Sequence, residues 1–199
     1  MQTRLPTEHR QAEIVAAALH LASASSPALI TTGDIAEAIG VTQGAVFKHF
    51  PSKDAIWLAA MRWVREALLQ ALQDAAAQAG TPREALAAMF QAHVEFVIAH
   101  PGVPRFIFHE LQQPTDSAAK LEVRAVLQGY RKLLLAVLGQ AVAQRQIGAD
   151  VDPEAAATGF IGLIQGLVMQ SMLGGRPAAM RQASGPVFAL YLRGIGAAS

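Results

Sequence analysis

Apolar residues recur every three to four positions along most of this chain, the spacing that places them on one face of an α-helix. Clusters of proline, glycine, serine and threonine separate the periodic segments, as expected where one helix ends and another begins. Runs of β-branched residues, which would favour strands, are scarce. The pattern predicts an all-α fold, with helices over approximately residues 7–24, 32–39, 42–50, 52–78, 81–100, 103–113, 117–145, 152–173 and 183–194.

Two short helices meet at a glycine in the N-terminal part of the chain. Ile35 and Ile39 share one face of the first helix, and Val46 and Phe50, four positions apart, share one face of the second. Gly40 lies between them and can adopt a positive φ at little cost, which suits a tight turn between helices. The spacing predicts a helical hairpin whose two apolar faces point inward.

Threonines stand where both short helices begin. Either Thr31 or Thr32 starts the first helix, which the Thr32 hydroxyl is in place to cap, and Thr42 is in place to cap the second. The outward side of the second helix carries small and hydrogen-bonding residues, namely Gln43, Gly44, Ala45, Lys48 and His49. A helix that enters the major groove of DNA needs these types, because small side chains permit close approach. Plain αα-hairpins have the same spacing, so the spacing alone leaves both interpretations open.

The whole stretch from Thr31 to Lys53 strongly resembles the motif of the TetR family of transcriptional regulators. That motif runs roughly Thr-Thr, two residues, Ile-Ala, three residues, Gly-Val-Thr/Ser, small residues, an aromatic residue, and His-Phe-x-Ser-Lys. The matching residues here are Thr31-Thr32, Ile35-Ala36, Gly40-Val41-Thr42, Gly44-Ala45-Val46-Phe47 and His49-Phe50-Pro51-Ser52-Lys53. The resemblance implies a helix-turn-helix that binds double-stranded DNA.

By this resemblance, base edges would be read by Gln43, Lys48 and Ala45, since an amide can pair with adenine and an alanine methyl can contact thymine. The expected contacts to the phosphate backbone come from Arg4, Thr32, Thr42, Gly44, Phe47, His49 and Lys53. Family members commonly carry tyrosine where this chain has Phe47, so a hydroxyl contact is absent here and only ring packing remains. Arg4 equally fits a solvated N-terminal tail.

A long helix follows the hairpin directly, and Ser52 is in place to cap it. The amide groups at its start form a natural phosphate site, to which Lys53 adds a positive charge. We expect a domain boundary at this point. Residues 1–51 would form a three-helix DNA-binding domain, and residues 52–199 a larger helical domain for effector binding and dimerisation.

Glycines recur within one late helix, where each costs roughly 1 kcal/mol relative to alanine. Close approach of another helix would compensate for this cost. In the family, the last two long helices form the homodimer interface, so the resemblance implies an interface that includes Gly159, Gly162, Leu163, Gly166 and Leu167, with residues 183–194 as the second helix. Packing against other helices of the same chain is the alternative.

Aromatic, thioether and a few polar side chains gather in the middle of the chain. The resemblance implies a pocket there for a small, often apolar effector, and such pockets carry few polar anchors. We expect the lining to include Phe90, His93, Phe96, Phe106, His109, Gln113, Tyr130 and Met169. Each of these residues, taken singly, also fits an ordinary core position.

Composition and charge narrow the classes of function. Cysteine is absent, which excludes disulfides and thiolate metal sites, and no two of the six histidines have the four-residue spacing of a ligand pair on one helix face. Phosphate-binding loops, nucleophile elbows and dinucleotide-binding glycine motifs are also missing from the sequence. We therefore expect neither an enzyme nor a bound cofactor or metal. The net charge of +1 does not itself indicate a nucleic-acid ligand.

The N-terminal residues are polar and lack the apolar core of a secretory signal. Residues 159–175 are the most apolar stretch, but Gln165 and Gln170 interrupt it, so we expect no membrane span and a cytoplasmic location. The sequence predicts a homodimeric, ligand-responsive repressor on a pseudo-palindromic operator. An activator, or a regulator without an effector, would share the same N-terminal half. A helical scaffold or carrier that merely retains the hairpin is the remaining alternative.

Overall fold

The computed structural model describes residues 7–176 and 178–196 of the 199-residue chain. Within these ranges all regular structure is helical, as the apolar periodicity predicts. The helices are α1 (Thr7–Leu21), α2 (Thr32–Ala38), α3 (Gln43–Phe47), α4 (Lys53–Ala77), α5 (Pro82–Ala99), α6 (Gly102–Gln112), α7 (Ala118–Ala143), α8 (Pro153–Gly174) and α9 (Ala179–Gly194).

Every helix except α9 begins within one residue of its predicted start. Asp152 caps α8, where its side chain accepts a hydrogen bond of 2.9 Å from the backbone nitrogen of Glu154. The last helix begins at Ala179 rather than near Ala183. The earlier start has a packing cause, because Met180 is buried and draws this first turn into the core.

The chain forms two compact units, and neither is continuous in sequence. The first unit contains the described residues up to Arg65 together with His100–Ala125, and the second contains Glu66–Ala99 and the described residues from Val126 onwards. The α6 helix therefore belongs to the same unit as the N-terminal helices. Because this division follows packing, the functional boundary expected after residue 51 stays a prediction.

In the first unit, α6 packs tightly against the end of α1. Gly102 begins α6 so close to α1 that a Cβ atom there would lie 1.9 Å from the carbonyl oxygen of Leu19. The rings of Trp57 in α4 and Phe106 in α6 stack with their centroids 4.3 Å apart. These contacts join α1, α4 and α6 around one core, and α2 in turn contacts α1 and α3.

The core of the second unit is a cluster of aromatic rings. The centroid of Phe90 lies 5.3 Å from that of Phe160 and 5.0 Å from that of Phe188. The Tyr191 ring lies 5.6 Å from Phe160, and its hydroxyl donates a hydrogen bond of 3.0 Å to the carbonyl oxygen of Ala156. Burial raises the pKa of Tyr191, so this hydroxyl remains a donor at neutral pH. The cluster joins α5, α8 and α9.

Among the described residues, α8 is the one helix long and apolar enough to cross a membrane by length and composition, with a mean hydropathy of 1.4. The expectation that this stretch does not span a membrane stays a prediction, since α8 passes the test by length and composition only. One stripe of α8 is nevertheless buried within the second unit, including Phe160, Ile164 and Leu167. A core helix of a folded domain has the same composition.

Candidate nucleic-acid interface

The α2 helix begins with a complete capping box. The backbone nitrogen of Asp34 donates to Oγ1 of Thr31 at 3.1 Å, and the backbone nitrogen of Thr31 donates to Oδ2 of Asp34 at 2.8 Å. Hydrogen bonds from the backbone and side chain of Thr31 lower the pKa of Asp34. The expectation that Thr32 caps α2 is therefore wrong, because Asp34 stands three residues after Thr31 and completes the box with it. Thr32 is the first residue of the helix.

The turn between α2 and α3 has the predicted form. Gly40 adopts a φ of +67°, in the region that favours glycine. Thr42 caps α3, since its Oγ1 accepts a hydrogen bond of 3.3 Å from the backbone nitrogen of Ala45. Ile35 and Val46 are both fully buried, so the apolar faces of the two helices point inward as predicted.

The opposite side of α3 faces solvent. Gln43, Gly44 and Lys48 are exposed, and the ring of Phe47 is 47% exposed. The helix itself contains no acidic residue. This face therefore offers amide and ammonium donors, with small residues between them, and no carboxylate that would repel phosphate. Arg4, the other predicted contact at this end of the chain, lies outside the described residues.

A contact between α2 and α3 holds the side chain of Gln43. Its Nε2 donates a hydrogen bond of 2.7 Å to Oγ1 of Thr32. Thr32 is only 8% exposed, so this hydroxyl oxygen is engaged at the edge of the core. The predicted contact of Thr32 with phosphate stays a prediction. Both residues were predicted to contact DNA, but the sequence gives no signal that they contact each other.

The N-terminus of α4 adds two further polar groups. Ser52 caps it as predicted, because its Oγ accepts a hydrogen bond of 3.1 Å from the backbone nitrogen of Ala55. Lys53 donates a hydrogen bond of 2.9 Å to the carbonyl oxygen of Ala28, in the loop between α1 and α2. Burial lowers the pKa of Lys53. An ammonium carries three N–H groups, so this contact leaves others for a phosphate oxygen.

His49 lies just beyond α3 and is tied to α1. Its carbonyl oxygen accepts a hydrogen bond of 3.3 Å from Nε2 of Gln11. Its ring Nδ1 is buried and has no hydrogen-bond partner within the part of the chain that the structure describes. Gln11 was not predicted from the sequence, because a contact across 38 positions leaves no trace in local periodicity.

The residues predicted to line an effector pocket belong to different units. Phe106, His109 and Gln113 lie in the first unit, whereas Phe90, His93, Phe96, Tyr130 and Met169 lie in the second. In the first unit, Nε2 of Gln113 donates to the carbonyl oxygen of His109 at 3.3 Å. Phe106 is buried against Trp57.

His93 and Tyr130 form a polar pair inside the second unit. Nδ1 of His93 and the hydroxyl oxygen of Tyr130 are 3.2 Å apart. Burial lowers the pKa of His93 to about 4 and raises the pKa of Tyr130. Both groups are therefore neutral at pH 7. Phe90 and Phe96 are buried, but Met169 is 43% exposed on α8.

The glycines of α8 predicted to face another helix lie in different surroundings. A Cβ atom at Gly162 or Gly166 would meet nothing within 4 Å, while one at Gly159 would lie 3.9 Å from the ring of Tyr191. Packing between the described residues therefore gives no reason for glycine at Gly162 or Gly166. Of the neighbouring predicted interface residues, Leu163 is half-buried and Leu167 is buried.

Exposed apolar side chains continue the surface that starts at Gly162 and Gly166. Met169 and Leu173 follow these glycines at steps of three and four residues, which places all four on one face of α8. Leu173 is 82% exposed, and on α9 Leu190 is 60% exposed. This α8 face is both apolar and free of large obstacles near its glycines.

Comparison with known proteins finds similarity at both ends of the chain. Residues 14–60 match the family model for bacterial regulatory proteins of the tetR family, and residues 112–185 match that for the tetracyclin repressor-like C-terminal domain. The nucleoid occlusion factor SlmA of Vibrio vulnificus is 29% identical over 50% of this chain and 51% of its own length. The chain thus spans about half the length of the SlmA relatives that it matches.

Two further similarities extend over most of the chain. The HTH-type transcriptional regulator TtgR of Pseudomonas putida is 28% identical over 86% of this chain and 84% of that protein. A transcriptional regulator FadR from Bacillus subtilis, solved in complex with stearoyl-CoA, superposes with a TM-score of 0.80 over 92% of this chain and 98% of that chain, at 19% identity. The structural similarity shows a shared fold.

Proposed function

The chain belongs to the TetR family of bacterial regulatory proteins, and we propose that it is a homodimeric repressor that leaves its operator when a small apolar effector binds. The observation that carries this proposal is the outward face of α3. Gln43 and Lys48 are exposed there, on a helix whose start is capped by Thr42 and whose inner face is buried at Val46. A DNA-reading helix needs this combination of a fixed backbone and exposed donors.

The proposed contacts with DNA are of two kinds, those to base edges and those to phosphates. Gln43 and Lys48 would bond base edges in the major groove, with Ala45 against a thymine methyl group. The groups proposed to bind phosphate are Arg4, Thr42, Gly44, Phe47, His49 and Lys53, with Gly44 acting through close approach and Phe47 through ring packing. The amides at the start of α4 would add a phosphate site beside Lys53.

The proposed dimer pairs the exposed face of α8 with a second copy of the chain. The open space beside Gly162 and Gly166 supports this pairing, because a helix of the partner can approach closely only where side chains are absent. A twofold dimer would present two α3 helices to one duplex, so the operator would contain two inverted half-sites about one helical turn apart.

The proposed effector binds in the second unit, where His93 and Tyr130 would be neutral anchors among aromatic rings. The similar FadR was solved with stearoyl-CoA, which carries a long apolar tail. An effector shifts the protein off DNA only if it binds the DNA-free state better. We propose α4 as the element that couples the two events, since it is one continuous helix with residues in both units. Such a regulator acts in the cytoplasm.

Footprinting on the DNA that flanks the chain's own gene tests this proposal, with and without a panel of apolar molecules that includes stearoyl-CoA. We expect a protected segment with two inverted half-sites, and loss of protection with one member of the panel. Absence of protection on every duplex tested would contradict the proposal of a DNA-binding regulator. It would favour the alternative of a helical scaffold or carrier. Protection that persists with every molecule of the panel would contradict the proposed response to an apolar effector. The chain would then be a regulator that acts without an effector.

A further inference from the structure

We propose that Thr32 is a positioning residue for base reading: it orients the amide of Gln43 toward an adenine and does not itself bind phosphate. The inference deepens the proposed function and rests on it, since it assigns a role within the contact between α3 and DNA. It also replaces the contact that the sequence motif alone suggests for Thr32.

The geometry of α2 and α3 carries this assignment. Nε2 of Gln43 lies 2.7 Å from Oγ1 of Thr32, at the short end of the range for an N–H···O hydrogen bond. Thr32 is 8% exposed, whereas Gln43 is exposed. Thr31 already caps α2, so the hydroxyl of Thr32 is not needed there and bonds across to α3. The buried hydroxyl of Thr32 therefore fixes the position of the exposed Gln43 amide.

The two residues of this hydrogen bond each lie in the first turn of a capped helix. Thr32 follows the capping box of Thr31 and Asp34, and Gln43 follows Thr42, whose side chain caps α3. Capped first turns have fixed backbone angles. The separation between Thr32 and Gln43 is therefore set by the backbone, and the amide of Gln43 does not have to be ordered when DNA binds.

The chemistry of a primary amide shows what this orientation selects. The amide of Gln43 has two N–H donors and one acceptor oxygen, and the bond to Thr32 uses one donor. One N–H and Oε1 remain, which is the pair that adenine requires at N7 and N6. Without Thr32 the terminal torsion of glutamine is broad, so donor and acceptor can exchange places. Adenine would then lose its advantage over other bases.

A direct contact between Thr32 and phosphate makes a different prediction. Such a contact would strengthen binding to every sequence equally, would add to the salt dependence of binding, and would not depend on Gln43. A positioning role acts only on the base pair beside Gln43 and disappears once Gln43 is removed. The two roles can therefore be separated by a double-mutant cycle.

The test uses the full chain and an operator enriched from random-sequence duplex DNA. The variants are Thr32→Val, which removes the hydroxyl and keeps the shape, Thr32→Ser, which keeps the hydroxyl, Gln43→Ala, and the double variant Thr32→Val/Gln43→Ala. Affinity is measured on four duplexes that differ at the one base pair where Gln43→Ala loses its preference. Thermal unfolding of each variant separates misfolding from altered reading.

We expect the wild type to prefer adenine at that position by about fivefold to a hundredfold. Thr32→Val should reduce this preference to within about twofold, Thr32→Ser should retain it, and Thr32→Val should change nothing further in the Gln43→Ala background. If Thr32→Val weakened binding to all four duplexes equally, in both the wild-type and the Gln43→Ala background, the positioning role of Thr32 would be wrong. The proposed function would stand. A wild-type chain that enriches no sequence would overturn the proposed function and this inference with it.

Discussion

At the scale of single residues, several groups proposed to contact DNA make short polar contacts within the first unit. Lys53 is tied to the carbonyl oxygen of Ala28, Gln43 to Thr32, and the carbonyl oxygen of His49 to Gln11. These contacts leave N–H groups of Lys53 and Gln43 available for further hydrogen bonds. The side chains of Lys53 and Gln43 are thus held without DNA, which would reduce the conformational entropy that they lose on binding it.

The contact made by Lys53 leads to a prediction about the salt dependence of binding. Lys53→Ala should weaken binding to the operator and to a scrambled duplex by the same factor, and should reduce the slope of log K against log salt by about one. Lys132→Ala is the matched control, because it removes the same charge from an exposed position on α7. Fluorescence anisotropy at several salt concentrations measures both. A loss confined to the operator would mean that Lys53 reads sequence.

His93 makes the stability of the fold depend on pH. Its pKa is about 4 in the folded chain and returns to about 6.5 when unfolding exposes the ring. Between these values the unfolded chain binds the extra proton, so the free energy of unfolding falls as pH is lowered through this window. From pH 7.5 to 5 the expected contribution is about 2 kcal/mol.

His93→Gln removes this proton and keeps a polar side chain, so it isolates the contribution of His93 from that of the other titrating groups. Urea unfolding at both pH values and one protein concentration should show a larger fall for the wild type than for the variant. Equal falls would mean that the His93 ring takes up its proton without unfolding.

At the scale of elements, the close packing of α6 on α1 places α6 in the same unit as the proposed DNA-reading helices α2 and α3. Gly102→Ala would place a methyl group in the backbone of α1 at Leu19, which cannot move without distorting the helix. We expect a loss of roughly 3 kcal/mol in the free energy of unfolding. Gly139→Ala is the control, since nothing lies within 4 Å of a Cβ atom there and alanine favours helix. Urea unfolding of both variants checks this, and similar midpoints would contradict it.

Sequence periodicity predicted the elements well where the determining contacts are local. The turn at Gly40, the cap at Thr42 and the cap at Ser52 are set by residues within a few positions, and all three are confirmed. The contact between Gly102 and Leu19 could not be predicted from local periodicity, because these residues are far apart in the chain.

One miss in the candidate site has a local cause instead. Two adjacent threonines offered equivalent caps, and only the position of Asp34 relative to Thr31 decided between them. The bond from Gln43 to Thr32 then depended on that choice, since it uses the threonine that does not cap. Local patterns therefore predicted which residues form the candidate interface, but not the contact between Gln43 and Thr32 that the structure shows.

At the scale of the whole molecule, the proposed mechanism needs two copies of the chain. Gly162→Leu should fill the space that a partner helix would occupy and raise the dimer Kd by about a hundredfold, roughly 3 kcal/mol. Gly139→Leu is the matched control, because it introduces the same side chain at an exposed helical glycine with open space on α7. Sedimentation velocity should find monomers for the first variant and dimers for the second. Dimers of unchanged affinity in both variants would place the interface elsewhere.

Sequence-specific binding through α3 separates the proposed regulator from a helical protein that merely contains the hairpin. The most direct measurement is the affinity of the wild-type chain for its enriched operator and for a scrambled duplex of the same length and composition, at physiological salt. We predict that the operator binds at least about a thousandfold more tightly, and that Gln43→Ala narrows this ratio. Equal affinities for the two duplexes would contradict sequence reading by α3.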